Sequence, residues 1–209
     1  MRLVLFGSGG HAESSLDLAT ALNYEVVGCI DPKSTMGAWN GVPVFRSLMD
    51  MNSDYPKSFL LGIGDISIRN RVVRETLQYF PDAVFPTLIH PTAHVSTRAN
   101  IGAGSNIFAK SYIGPQVIIG MHCLINTASC IEHNSTLGDH VVLSPGAMIG
   151  GEVSVGSYSM IGIGAVVSNT VKIGKESVIG GHSFVNKDIP KNVVAYGSPA
   201  RIIRKLEIN

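Results

Sequence analysis

The chain is poor in charge and in cysteine. Only 15% of its 209 residues are charged, and the formal net charge is +1. No basic excess marks a nucleic-acid surface, and no charge run marks a tail. The cysteines, Cys29, Cys123 and Cys130, are odd in number and lack C-x-x-C spacing. That argues against a disulfide framework and against a cysteine zinc site. No trio of His or Cys has metal-ligand spacing, so no catalytic metal is expected. No apolar run approaches the roughly 18 residues that would span a bilayer. Met1 to Phe6 runs straight into glycines and leaves no room for a signal peptide. The expectation is a cytoplasmic protein with neither membrane nor nucleic acid as partner.

What the chain does have is glycine, 23 residues of it, and a repeat. From Val95 to Val185 every sixth residue is Ile, Val or Leu. These three types make up 56 of 209 residues, so sixteen consecutive hits by chance have a probability on the order of 10⁻⁹ and mark a hexapeptide repeat. Two residues before each anchor stands a small or β-branched side chain, as at Ser105, Val117, Cys123 and Ser135. The residue after the anchor favours Gly, as at Gly102, Gly120, Gly138 and Gly150.

A helix needs a period near 3.6 and an ordinary strand one of 2. A period of six calls for short straight segments joined by corners. Anchor and small residue then both point inward, because side chains alternate along an extended segment. The Gly after the anchor is expected to take a positive φ at the corner. Three such sides close a coil of eighteen residues, and coils stack about 4.8 Å apart. Cys123, in the small inward column, reads as buried filler.

Ahead of the repeat lies a β-turn-α-β pattern. Arg2 to Phe6 reads as a buried parallel strand, Glu13 to Leu22 as a helix and Glu25 to Ile30 as a second strand ending at Asp31. Gly7, Gly9 and Ala12 match G-x-G-x-x-G/A, with Gly10 and His11 between them. Such glycines let a phosphate approach a helix N-terminus. Further strands are expected at Val42 to Phe45, Ser58 to Leu61 and Val84 to Phe85. Helices are expected near Arg46 to Met51 and from Ser67 to Tyr79, the latter with Arg69, Arg71 and Arg74 on exposed or ligand-facing sides. The glycine loop, Asp31 and Gly64-Asp65 all fall at C-terminal strand ends, where open parallel sheets bind ligands. Residues 1–88 thus form half a dinucleotide fold, room for one mononucleotide, and 89–209 the repeat domain with its tail.

The repeat breaks its own rule at one corner. Glu132 follows the anchor Ile131 where Gly is usual, and His133 and Asn134 come next. Adding eighteen to 133 places Gly151 one coil above His133. A glycine there leaves room beside the ring and offers a backbone N–H where a thioester carbonyl gains negative charge. His133 suits a general base, with Asn134 or Glu132 holding its tautomer. His122 and His140, one coil apart, are expected to stack.

With the repeat, the segments Gly7-Ser8-Gly9-Gly10-His11, Ile131-Glu132-His133-Asn134 and Gly197-Ser198-Pro199-Ala200-Arg201 resemble the sialic acid O-acetyltransferase family. That family includes the N-acetyltransferases of nucleotide-linked amino sugars in bacillosamine and perosamine pathways. The resemblance implies an α/β half-Rossmann domain followed by a left-handed parallel β-helix. It implies a homotrimer with acetyl-CoA as cosubstrate between adjacent β-helices and a nucleotide-linked sugar in the N-terminal domain. By the same resemblance His133 is the general base, Asn134 stands where relatives have an acidic residue, and the Gly151 N–H is the oxyanion donor. Val142 stands where some relatives have a second histidine, so His140 is a candidate substitute. Gly7, Gly9, Gly10, His11, Asp31, Gly64 and Asp65 map onto the sugar-nucleotide pocket. Ile163, Gly180, Gly181, Pro199, Ala200 and Arg201 map onto coenzyme A contacts. The function expected is N-acetylation of a nucleotide-linked amino sugar, the alternatives being O-acetylation of a sialic-acid-type sugar and a non-catalytic sugar-nucleotide-binding scaffold.

Overall fold

A computed structural model describes residues 1–206. It divides into two compact units, Met1–Leu88 and Ile89–Asn209, the last three residues of the second lying outside the described part.

In the first unit β1 (Arg2–Phe6), β2 (Glu25–Ile30), β3 (Ala38–Trp39), β4 (Val42–Phe45) and β5 (Phe59–Leu61) form one sheet in the order β3-β4-β2-β1-β5. All neighbours are parallel except the β3/β4 pair. β1 lies centrally, which explains its run of buried apolar residues. The chain leaves β1 toward β2 on one side and returns at β5 on the other, making the end of β1 the switch point of the sheet. Helix α1 (Gly10–Ala21) starts directly after the glycine loop and buries Ala12, Ser15, Leu18 and Ala19. Helix α2 (Ile66–Tyr79) follows β5. Of the helix expected near Arg46 to Met51 only a 3₁₀ turn forms, Leu48–Asp50. Val84 makes a single parallel bridge to Ser58 in place of the strand expected at Val84 to Phe85.

The second unit is a left-handed parallel β-helix of three sheets. Each two-residue strand pairs with the strand eighteen positions on, as in Tyr112↔Cys130 and Cys130↔Met148. The anchors and the small column fill the interior, and Ile107, Ile113, Ile125, Ile131, Leu143 and Val185 are fully buried. Inward serines are bonded to the next coil: Ser105 Oγ donates to the Gly120 carbonyl at 2.9 Å and Ser135 Oγ to that of Gly150 at 2.8 Å. Cys123 Sγ donates to the Gly138 carbonyl at 3.1 Å in the same manner, so it replaces a serine and does more than fill space. The closing segment is a β-hairpin, Val193–Gly197 with Ala200–Lys205.

The corners correct one expectation. Positive φ falls three residues after the anchor, at Lys110, Gln116, His122, Asn134, His140 and onward every sixth residue. The glycines directly after the anchor are not in that conformation; their reason is space. A Cβ on Gly102 would stand 2.5 Å from the Gly120 carbonyl carbon, and one on Gly162 would stand 2.5 Å from the Gly181 nitrogen. These glycines let one coil's backbone settle on the next.

Candidate active site

The corner after Ile131 is bonded above and below. Glu132 N donates to Ile149 O at 2.9 Å, Asn134 N to Pro115 O at 3.1 Å and Glu152 N to His133 O at 2.9 Å. The backbone of His133 is therefore fixed while its side chain is exposed. Gly151 stands above it, as the coil arithmetic requires: a Cβ there would lie 2.7 Å from both Cε1 and Nε2 of the His133 ring. The imidazole thus occupies the room that the glycine leaves.

Asn134 places its side-chain nitrogen 3.0 Å from His133 Nδ1. Donation from that amide makes Nδ1 the acceptor and puts the ring proton on Nε2. With the amide turned over, Nδ1–H donates to Asn134 Oδ1 and Nε2 carries the free lone pair. Base function calls for the second arrangement. Glu132 takes another part: its carboxylate accepts from Cys130 Sγ at 3.5 Å. Burial, reinforced by the Glu132 charge, raises the Cys130 thiol pKa to about 11, so it is a protonated donor. Of the two candidates for holding the His133 tautomer, Asn134 is the one in contact with the ring, while Glu132 bonds Cys130.

Two further assignments change. The Gly151 N–H, expected to be free for an oxyanion, donates to Asn169 Oδ1 at 3.0 Å. Asn169 escaped the reading of the sequence, although one more step of eighteen leads from 151 to it. His140 belongs to the next corner, where its ring stacks between His122 (5.1 Å) and Tyr158 (5.0 Å). The stacking of His122 on His140 is as expected, and within the chain that column, not His133, holds His140.

Among the proposed coenzyme contacts, Ile163 is 54% exposed and packs its methyl against Gly181, where a Cβ would stand 3.0 Å away. Gly180 gives way to Tyr196, whose Cβ would lie 2.6 Å from an added methyl. Pro199 sits in the turn of the closing hairpin, and Ala200 and Arg201 open its second strand.

In the first unit the glycine loop folds as its pattern suggests. Gly7 has φ +97°, and a Cβ there would meet the Gly62 carbonyl at 2.9 Å. Gly9 and Gly10 are different: a Cβ on either would meet nothing within 4 Å. No packing within the protein demands these glycines, and the open space beside them is at the start of α1. Asp31 reaches back to the loop, accepting from Ser8 N at 3.0 Å and Ser8 Oγ at 2.6 Å. Partial burial pushes its pKa up, but the bonds from Ser8, Lys33 and Ser34 outweigh this and hold it below the usual carboxylate range.

Asp65 is the N-cap of α2, accepting from Ser67 N, Ile68 N and Ser67 Oγ at 2.9, 3.0 and 2.6 Å. All three bonds fall on Oδ1, which is committed to the helix; the motif Asp-Ile-Ser-Ile ahead of a helix was the available signal. Gly64 lies beside His11, 4.0 Å from Cβ position to ring. Arg69 is buried and not ligand-facing, donating to the carbonyls of Leu61 (3.3 Å) and Ile63 (2.9 Å) at the end of β5. Burial first, and the Arg69 cation second, lower the His11 pKa to about 4, so its imidazole is neutral at physiological pH. A cavity of about 480 Å³ opens at the same strand ends, lined by Gly7, Asp31, Leu48, Ile63, Arg71 and Val72 among others.

Fold and site together define a class: a small α/β domain joined to a hexapeptide β-helix with a histidine at one corner. Residues 2–76 match the family described as the PglD N-terminal domain. Among solved structures, the chain is 29% identical to the acetyltransferase domain of PglB from Neisseria gonorrhoeae, seen also with acetyl coenzyme A (TM-score 0.88, covering 97% of this chain and 98% of that one). It is also 29% identical to PerB from Caulobacter crescentus, solved with CoA and GDP-perosamine (TM-score 0.89, 98% of each chain). WeeI from Acinetobacter baumannii, 22% identical with a TM-score of 0.86, shares the fold over 97% of this chain and 100% of its own. No curated protein sequence matches. The resemblance to nucleotide-sugar acetyltransferases drawn from the three motifs is borne out.

Proposed function

We propose that the protein is an acetyl-CoA-dependent N-acetyltransferase acting on the amino group of a nucleotide-linked amino-deoxy sugar. The observation that carries the reading is the His133 ring held against Gly151. A general base needs an exposed face for the substrate and a neighbour that can fix its tautomer; the His133 side chain is exposed and Asn134 lies 3.0 Å from its Nδ1. The likeness to PerB, solved with CoA and GDP-perosamine, supplies the substrate class. The amine nitrogen attacks the thioester carbonyl carbon while His133 Nε2 takes the ammonium proton formed on attack. The tetrahedral intermediate collapses by expelling the coenzyme A thiolate, which takes the proton back from His133 and leaves as the thiol. No covalent acetyl-enzyme forms.

The first unit holds the nucleotide in this reading. The unfilled space at Gly9 and Gly10 suits a diphosphate, and the cavity beside Asp31 suits the nucleoside. The second unit works as a homotrimer, with acetyl-CoA between adjacent β-helices. A row of apolar side chains on one face, Met148, Val166 and Phe184, exposed by 50%, 38% and 39%, supports such an assembly. The location is the cytoplasm, where acetyl-CoA is available. The test is thiol release from acetyl-CoA with UDP-, GDP- and dTDP-linked amino sugars, alongside His133→Ala. We expect turnover with one nucleotide class and a loss in kcat of about 10²–10⁴-fold in the variant. An unchanged kcat with the true acceptor sinks the general-base role.

A further inference from the structure

His133, Gly151 and Asn169 stand in one column, because Ile131 pairs with Ile149 and Met148 with Val166. The His133 ring lies against Gly151 from the coil beneath, and the Asn169 side chain reaches it from the coil above. The atom of Asn169 that faces Gly151 accepts from a backbone N–H, so it is the amide oxygen. The amide nitrogen, Nδ2, therefore points away, with two N–H groups. Asn169 is exposed, and among the described residues no acceptor takes its Nδ2.

The same position caps the coil beneath at another corner. Met121 N–H donates to Asp139 Oδ1 at 2.8 Å, and Asp139 N–H to Ser157 Oγ at 3.1 Å. There the cap is a carboxylate or a hydroxyl. In the histidine column it is a primary amide, which accepts at one end and donates at the other. Accepting a hydrogen bond at Oδ1 polarises the amide and strengthens what Nδ2 can donate.

We propose that Asn169 Nδ2 supplies the oxyanion-stabilising hydrogen bond of the acetyl transfer, with the Gly151 N–H acting behind it. This rests on the acetyltransferase reading of His133. As the C–N bond forms, the carbonyl π pair moves onto oxygen, and Asn169 donates to that oxygen. The amine proton goes to His133, and the oxygen pair returns to re-form C=O as the C–S bond breaks.

Asn169→Asp is the informative variant. It keeps an acceptor for the Gly151 N–H, so the coil contact survives, but it cannot donate. The expected result is a kcat lowered about 10²–10³-fold, with acetyl-CoA affinity within threefold of the parent. Asn169→Ala uncaps the Gly151 N–H, which then takes over part of the role, so a smaller fall in kcat is expected. The independent readout is the infrared carbonyl stretch of bound acetyl-CoA. Polarisation by Asn169 lowers its frequency, and Asn169→Asp returns it toward the solution value. An Asp variant with unchanged kcat and an unmoved stretch overturns the proposal and shows a plain coil cap. A faster Asn169→Ala enzyme also overturns it, since the amide then competes with the oxyanion. His133→Ala separates the two readings: it removes turnover while leaving the Asn169-dependent carbonyl shift in place.

Discussion

Gly151→Ala tests the corner with a single methyl group. The added Cβ would stand 2.7 Å from His133 Cε1 and Nε2 and 3.2 Å from Nδ1. Carbon contacts are comfortable at about 3.5–4.0 Å, so the ring must retreat by about 1 Å. It can do so, because it ends an exposed side chain and the Gly151 backbone is not among the positive-φ positions. Stability should therefore change by less than about 1 kcal/mol, in the range of substitutions that strain nothing buried. Catalysis is less tolerant: a base misplaced by about 1 Å costs on the order of 10²-fold in rate. The assay pairs kcat from thiol release with Tm from thermal unfolding. We expect Tm to hold and kcat to fall about 10²-fold. A variant with kcat within threefold of the parent would show that the ring's seat against Gly151 does not set the reaction geometry. A large loss of Tm would show instead that the corner cannot yield.

The neighbouring glycines give a contrasting expectation, and the first unit gives one in pH. A Cβ on Gly138 would meet the Ser157 backbone nitrogen at 2.6 Å; a coil cannot swing aside, so Gly138→Ala should cost about 1–3 kcal/mol, read as a Tm lower by several degrees, while an unchanged Tm contradicts the close-stacking account. His11 titrates at about 4 in the folded protein against an ordinary value of 6.5. The unfolded chain binds the extra proton between those values, so stability is full above pH 6.5 and declines as pH falls toward 4. His11→Asn should flatten that decline by about 2–3 kcal/mol, and parallel Tm-versus-pH curves for parent and variant would refute it.

The fold was legible because the six-residue period of the anchors has one simple structural cause. The site was legible in part for the same reason: once coils stack every eighteen residues, His133 and Gly151 must meet. What the residues concealed was the division of labour at the corners. The position of positive φ holds Lys110, Gln116, Tyr158, Thr170 and Glu176, types that carry no turn signal, because the stacked coils enforce the conformation. Glycine stands two residues earlier, where it answers to the coil above. The hydrogen bonds of Asp65 and Glu132 were concealed for another reason. A carboxylate near a site reads the same in sequence whether it faces a ligand, a helix N-terminus or a thiol. Only the partner decides, and for these two the partners are Ser67, Ile68 and Cys130.

The serine and cysteine bonds that tie each coil to the next make the second unit a ruler graduated in steps of eighteen residues. Inserting one complete graduation above Lys172 would lengthen the prism and leave His133, Gly151 and Asn169 in line. The same insertion between 134 and 150 would put a foreign residue over the histidine while every anchor still found its place. The histidine column thus tolerates a coil added above it and none added within it, while Gly180, Gly181 and the closing hairpin move one step away from it with the added length.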